Sequence, residues 1–277
     1  MLTTNVLSPA AATRNGGPVL SYQHLDAIRV AEIERVIPLI PKNARILDVG
    51  GGTGRQALEL SRRGFAVTAI DLASSNYAHR RIFPIIDYDG ATIPLADGSV
   101  DVVFSSNVLE HVPDLRRMHG EIRRVLAAGG TCIHVLPTHA WRFWTTLAGY
   151  PDAVVALVDG APALLPRAAP GKAELRRLAL AMYQTARAVG GRCLPRRHGE
   201  RGNVVSELWL FHPSWWRRNF RENGFAIVRD EPMGMFCTGH MVLGTRMPMA
   251  QREWLAKWLG SAHHLFVLKV ADGAVTR

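Results

Sequence analysis

Cysteine is scarce in this chain: Cys132, Cys193 and Cys237 are the only three, and they stand far apart. They build no disulfide framework and no close-paired ligand spacing, which suits a reducing compartment. A cytoplasmic protein without a metal site is therefore expected. Lysine is scarcer still in relative terms, with 4 Lys beside 29 Arg in a chain of net charge +10. There is no dense basic run with interleaved aromatics, so no nucleic-acid partner is expected. Long apolar runs are missing too. The most apolar late stretch, Thr145 to Pro166, is broken by Asp152, Asp159 and prolines, too often for a bilayer span. Met1–Gly17 lacks the charged-then-apolar order of a secretory leader and is expected to be disordered. No internal repeat is found.

What is present is a globular balance, 48% apolar and 20% charged over 277 residues, enough for one large domain or a domain with an insertion. The arginine excess has two readings. Guanidinium forks suit an anionic partner such as a phosphate, a carboxylate or an acidic lipid. The plainer reading is a solvated surface in an organism whose codons favour Arg.

Glycine is concentrated where it informs most. Arg45-Ile46-Leu47-Asp48-Val49 reads as a buried parallel strand, and Gly50-Gly51-Gly52-Thr53-Gly54 follows at once. Four glycines in five positions let the backbone turn sharply and let a ligand lie against it. The segment from Arg55 then starts a helix whose N-terminus faces that ligand. Strand, glycine loop and helix make a nucleotide site. The loop alone does not choose the nucleotide, since Gly52 to Ala57 also fits a dinucleotide fingerprint. Asp48, two residues before Gly50, can accept hydrogen bonds from an amino group and would repel a pyrophosphate. Asp71 closes a second apolar strand, Ala66–Ile70, 17 residues after Gly54, where a carboxylate can accept both ribose hydroxyls.

Together with Asp89-Gly90 and the run Asp97-Gly98-Ser99-Val100-Asp101-Val102-Val103-Phe104-Ser105-Ser106-Asn107-Val108-Leu109-Glu110-His111-Val112, this order resembles the class I S-adenosylmethionine-dependent methyltransferases. The subgroup it resembles methylates small molecules, quinone precursors, sugars and lipids. The resemblance covers roughly residues 42–137. It implies S-adenosyl-L-methionine as cofactor, with Asp48, Gly50, Gly52 and Gly54 at its methionine part and Asp71 at the ribose. Leu72 would pack beside the adenine, with Asp89 and Gly90 at the adenine edge. Ser105 and Asn107 would line the floor near the methyl group. Gly51 stands where many members carry Cys, Ala or Ser.

Periodicity supplies the frame. A helix is expected over 21–40, in this family a cover for the cofactor. Then come strand 45–49, helix 54–63, strand 66–70, helix 74–81, strand 83–87, strand 100–104, helix 114–126 and strand 131–136. Alternation of this kind means a doubly wound α/β fold, Rossmann-like, with a mostly parallel sheet of about seven strands. By resemblance the last strands form an antiparallel edge. The expected division is a disordered 1–17, a cofactor-binding core over 18–137, a helical insertion over 138–205 that covers the acceptor, and a return to the core over 206–277. Helices near 140–158 and 172–189 fill the insertion. Helix 213–223, strand 225–230, a Met-rich loop 233–249, helix 249–259 and strand 264–270 close the chain.

Methyl transfer from a sulfonium needs alignment and a dry site, and a hydroxyl acceptor also needs a base. His111 follows the fourth strand and His139 follows the fifth, both at the sheet end where ligands bind. Either can take the acceptor's proton. The plainer alternative packs His111 under the cofactor while Glu110 caps local backbone. His134, inside a strand, reads as a buried hydrogen-bonded histidine. His198, His212 and His240 lie in or beside the insertions without metal spacing. Trp141, Phe143 and Trp144 either wall an apolar acceptor pocket or pack the insertion's core. Helices 140–158 and 249–259, with Trp254 and Trp258, have a further reading as a peripheral membrane contact.

The reading that results is a methyltransferase acting on a small-molecule acceptor, anionic if the arginines serve it, with oxygen favoured over nitrogen or carbon. One alternative changes the acceptor to a membrane lipid or lipid-linked sugar. Two others keep the fold as an NAD-dependent oxidoreductase or as a non-catalytic scaffold.

Overall fold

A computed structural model describes residues 22–167, 171–193, 196–239 and 246–271. The expected disorder of 1–17 and His240 lie outside them. The chain divides into two compact units. One comprises Tyr22–Thr145 with Arg196–Arg277, and the other includes Thr146–Pro195.

The larger unit is built on β1 (Arg45–Val49), β2 (Ala66–Leu72), β3 (Ile85–Tyr88), β4 (Val100–Ser106), β5 (Leu126–Pro137), β6 (Phe225–Pro232) and β7 (His263–Val270). Their order is β3-β2-β1-β4-β5-β7-β6. The β3-β2-β1-β4-β5 pairings are parallel, and β7 runs antiparallel to both β5 and β6. Chain order therefore reverses direction between β1 and β4, which opens a crevice at their C-terminal ends. The helices of this unit are α1 (Tyr22–Val36), α2 (Arg55–Arg62), α3 (Leu115–Val125), the start of α4 (His139–Gly160), the single turn α6 (Glu207–Leu210), α7 (Pro213–Glu222) and α8 (Met249–Leu259).

The pleat sorts the strand residues between two cores. Leu47, Val49, Val103, Cys132 and Leu136 join Ile122, Phe220 and Trp216 on one face. Ile46, Val102, Phe104, Ile133 and Val135 join Ile33, Val36 and Leu60 on the other. Asp48 shares parity with Ile46, and Ser106 with Phe104, so both belong to the α1 face.

Several expected elements are corrected. The helix expected over 74–81 is only a 3₁₀ turn at Ala78–Arg80. Ser75 spends its carbonyl on Ala78 and its hydroxyl on the Tyr77 N–H, local bonds that compete with a helix. The third strand starts at Ile85, after Pro84, which has no N–H for a ladder. The fifth strand runs from Leu126 rather than 131 and carries Gly129-Gly130 within it. The leading helix ends at Val36, and a 3₁₀ turn with Pro38 completes it.

The second unit is narrower than the expected 138–205. It holds the rest of α4 and α5 (Lys172–Cys193). Asp152 of α4 pairs with Arg192 of α5 at 2.7 Å. A Cβ on Gly160 would meet the Thr185 side chain at 2.5 Å, so the hairpin needs glycine there. The first turns of α4 belong to the core instead. Trp141 packs with Ile28, Phe211 and Met235. Thr145 Oγ1 accepts the Gly239 N–H at 2.9 Å. Arg142 donates to the Arg196 carbonyl and pairs with the buried Glu207. Among the described residues no helix is long and apolar enough to cross a membrane.

Candidate active site

The site begins where β1 runs into glycine. Gly50, Gly52 and Gly54 adopt φ of +73°, +59° and +80°, a region costly for any side chain. At Gly50 a Cβ would also lie 2.4 Å from Val108, and at Gly54 2.6 Å from Phe83. The Gly50 and Gly51 N–H groups donate to the Ile70 carbonyl, which binds the loop to β2. Asp71, at the end of β2, accepts the Gly52 N–H at 3.0 Å and its neighbour Leu72 N–H at 2.8 Å.

Asp48 is buried under this loop, and its Oδ2 has no hydrogen-bond partner. Burial, with the nearby Asp71 carboxylate, pushes its carboxyl up to about 7. An orphaned carboxylate oxygen under a glycine cradle calls for a cationic donor. The ammonium group of S-adenosylmethionine supplies one, so the residues present fit that cofactor. Leu72 is part-exposed beside Gly90, whose Cβ would press on it at 2.9 Å. Asp89 accepts the Ala91 and Thr92 N–H groups, and these bonds hold its carboxyl below the ordinary range.

Ser105 and Asn107 part company. Ser105 is fully buried, and its hydroxyl shares a 2.8 Å hydrogen bond with His134 Nδ1 on the α3–α7 face. His134 is thus the buried, bonded histidine that its strand position implied. Asn107 sits in the left-handed region at φ +54°, a strain that only a fixed neighbourhood sustains. Ser106, one residue on from Ser105, reaches a network that sequence reasoning missed. Its hydroxyl donates to Glu32 at 2.9 Å and accepts from Arg29 at 2.8 Å. Arg29 and Gln56 also donate to Glu32, and His263 Nδ1 lies 3.0 Å from it. The Arg29 guanidinium, with the His263 ring beside the carboxylate, overrides the cost of burial and holds the Glu32 carboxyl down at about 2. The network's only trace in the sequence is the Arg29–Glu32 spacing on one helix face.

The two candidate bases lie in different pairs. His111 ends a 3₁₀ turn after β4, with its ring 4.7 Å from that of His198. Its Nε2 is 3.7 Å from Glu110 Oε1. His139 opens α4, with its ring 4.6 Å from His212. Burial lowers both imidazoles, so they are neutral at neutral pH. Glu110 is fully buried with no hydrogen bond from another residue to either oxygen, and burial pushes it up to about 8. The aromatic wall does not form as one surface: Trp141 is core, Phe143 is exposed, and Trp144 Nε1 donates to the Leu259 carbonyl at 2.8 Å.

Residues 47–134, from β1 through β5, match the family model described as a methyltransferase domain. Over that segment the core resembles the class I S-adenosylmethionine-dependent methyltransferases. An uncharacterised methyltransferase of Mycobacterium sp. strain JLS is 38% identical over 97 residues, 34% of this chain and 38% of that protein. A malonyl-[acyl-carrier protein] O-methyltransferase of Geobacter sulfurreducens is 34% identical over 122 residues, 39% of this chain and 46% of that protein. The chain thus spans under half the length of either relative. A structure of an S-adenosylmethionine-dependent methyltransferase from Listeria monocytogenes superposes with a TM-score of 0.50 at 13% identity, over 88% of this chain and 99% of that one. It shares the fold of this chain. The matched segment carries the glycine loop, Asp48, Asp71, Asp89 and Glu110-His111, and it stops before α4.

Proposed function

We propose that the chain transfers the methyl group of S-adenosylmethionine to an oxygen of a small-molecule acceptor. The observation that carries this is the buried, unpartnered Asp48 beneath a glycine loop tied to Asp71, at the crevice between β1 and β4. Asp48 and the loop would hold the methionine part, and Asp71 the ribose. Leu72, Asp89 and Gly90 would frame the adenine, and Asn107 the floor. The bound cofactor supplies an already activated methyl group. What remains for the protein is to align the acceptor, exclude water and receive a proton. His111 and His139 are neutral imidazoles at the sheet end, suited to that last task. Oxygen as the acceptor atom is supported by the relative named as a malonyl-[acyl-carrier protein] O-methyltransferase. The dinucleotide reading loses its support, since Asp48 sits where a pyrophosphate would be repelled.

A lipid or lipid-linked sugar is a second acceptor class, favoured by one observation. Val154, Val155 and Val158 of α4 and Leu180, Met182 and Tyr183 of α5 are all exposed, an apolar surface of the kind that meets a bilayer. One experiment tests both classes: isotope-labelled S-adenosylmethionine, the protein and either a metabolite or a lipid extract, read by mass spectrometry. Label in a water-soluble product supports the first class, and label in a lipid supports the second. Absence of cofactor binding by calorimetry overturns the reading altogether.

A further inference from the structure

The structure assigns a divalent-cation site to Glu110, His111 and His198, which the wide sequence separation of its ligands concealed. We propose that these three side chains bind a first-row divalent cation and that the cation holds the oxygen of the methyl acceptor. Their ligand atoms all lie within 4.8 Å of one another. Bonds of about 2.1 Å place ligand atoms about 3–4 Å apart, so small side-chain rotations close the set around an ion. One carboxylate and two imidazoles form a borderline donor set suited to zinc, manganese, iron or cobalt rather than to calcium. Three protein ligands leave coordination positions open for a substrate.

The carboxylate is the strongest observation. Glu110 is fully buried, yet no other residue donates a hydrogen bond to either oxygen. Two guanidinium groups influence it, but both are committed elsewhere. Arg201 donates to the Val112 and Leu109 carbonyls and lies over Trp215 and Trp216. Arg29 donates to Glu32 and Ser106. A buried acceptor that takes no bond from its cationic neighbours is a place where a ligand is missing.

The second observation is construction. His198 stands 87 positions after His111, and backbone bonds lock the two segments together. The Glu200 N–H donates to the Glu110 carbonyl at 3.0 Å. The buried Glu207 accepts the His198 and Gly199 N–H groups at 2.6 and 2.8 Å. A Cβ on Gly199 would sit 2.8 Å from the Glu110 carbonyl, so only glycine allows this approach. Backbone bonds to a buried carboxylate thus fix the segment that carries His198.

The role at the acceptor rests on the methyl-transfer reading; the binding of the cation does not. With His111 on the ion, an acidified metal-bound hydroxyl gives its proton to His139 or to water. Its oxygen then forms the bond to the methyl carbon as the carbon–sulfur bond breaks, and the electron pair stays on sulfur.

The test uses the full chain, tag-free and stripped with chelator, titrated with Co(II) and followed by d–d absorption, with Zn(II) calorimetry in parallel. One equivalent should bind with nitrogen–oxygen bands, and His198→Ala should weaken binding on the order of 100-fold or more. Cys193→Ala, which removes the one part-exposed thiol, should leave it unchanged. Melting curves and cofactor calorimetry on each variant show whether it is folded. A folded His198→Asn that binds the metal as wild type does, or a wild type that binds none, overturns the site. Metal binding by a protein that fails to bind S-adenosylmethionine keeps the site and removes the methyl-transfer reading.

Discussion

Asp71 accepts the Gly52 N–H at 3.0 Å, so the acid that ends β2 also pins the glycine loop that leaves β1. One carboxylate therefore serves the backbone and, in the proposed complex, the ribose. Asp71→Ala should weaken S-adenosylmethionine binding by about 2–4 kcal/mol through loss of charge-assisted hydrogen bonds. Calorimetry measures it, and unchanged affinity would remove Asp71 from the site.

Asp48 ties stability to pH. Its folded carboxyl is raised to about 7 from 3.8, so between about pH 4 and 7 the folded state keeps a proton that the unfolded state has lost. Stability of the cofactor-free protein should fall as pH rises through that window and level off above it. Asp48→Asn should abolish that slope and be more stable than wild type at pH 8. In the wild type, cofactor affinity should also rise as the pH passes 7. Urea melts across pH give the first result and calorimetry gives the second.

Glu32 behaves in the opposite sense. Its partners hold the folded carboxyl at about 2, below 4.5, so its contribution is intact above about pH 4.5 and is lost as pH falls toward 2. Glu32→Gln leaves the Arg29 guanidinium without its buried counter-charge and should cost about 3–5 kcal/mol. A denaturant midpoint within error of wild type would show that solvent replaces the network.

The proton acceptor is testable by rate. Removing a general base costs ~10²–10⁴ in turnover with little change in cofactor affinity. His139→Gln should show that loss if His139 is the base, whereas a loss in His111→Gln counts as loss of a base only where metal binding is unchanged. The variant that removes the base should also lose the fall in rate at low pH that neutral imidazoles impose. If both variants keep the wild-type rate and profile, no base acts from either position.

Replacing Thr146–Pro195 with a short linker should leave cofactor binding intact and abolish turnover, because the matched domain ends before α4. Full turnover on the same acceptor would assign that unit another role.

The sheet and its glycine crevice were legible because local rules dictate them. Ile46–Val49 has to be buried, and Gly50, Gly52 and Gly54 have to turn with positive φ. Parity also separates Ser105 from Ser106, since Phe104 marks the α1 face and Ser105 must point away from it. The sequence reading grouped these residues by motif and did not apply that alternation. His198 and Glu207 were not legible as site residues. They meet Glu110 and Arg142 across long stretches of chain, and no local periodicity encodes such meetings. The 3₁₀ turn at 78–80 was missed because short polar side chains settle it by local bonds that a helical pattern does not weigh.

The Arg142 guanidinium donates to the Arg196 carbonyl at 2.9 Å, and both residues belong to the larger unit. The chain therefore departs and returns at neighbouring points of one rigid frame. What lies between, Thr146–Pro195, is a compact unit of its own, and its exchange should cost the frame little. On the proposed function, a lineage built on such a frame would change what it modifies without rebuilding how it holds the methyl donor.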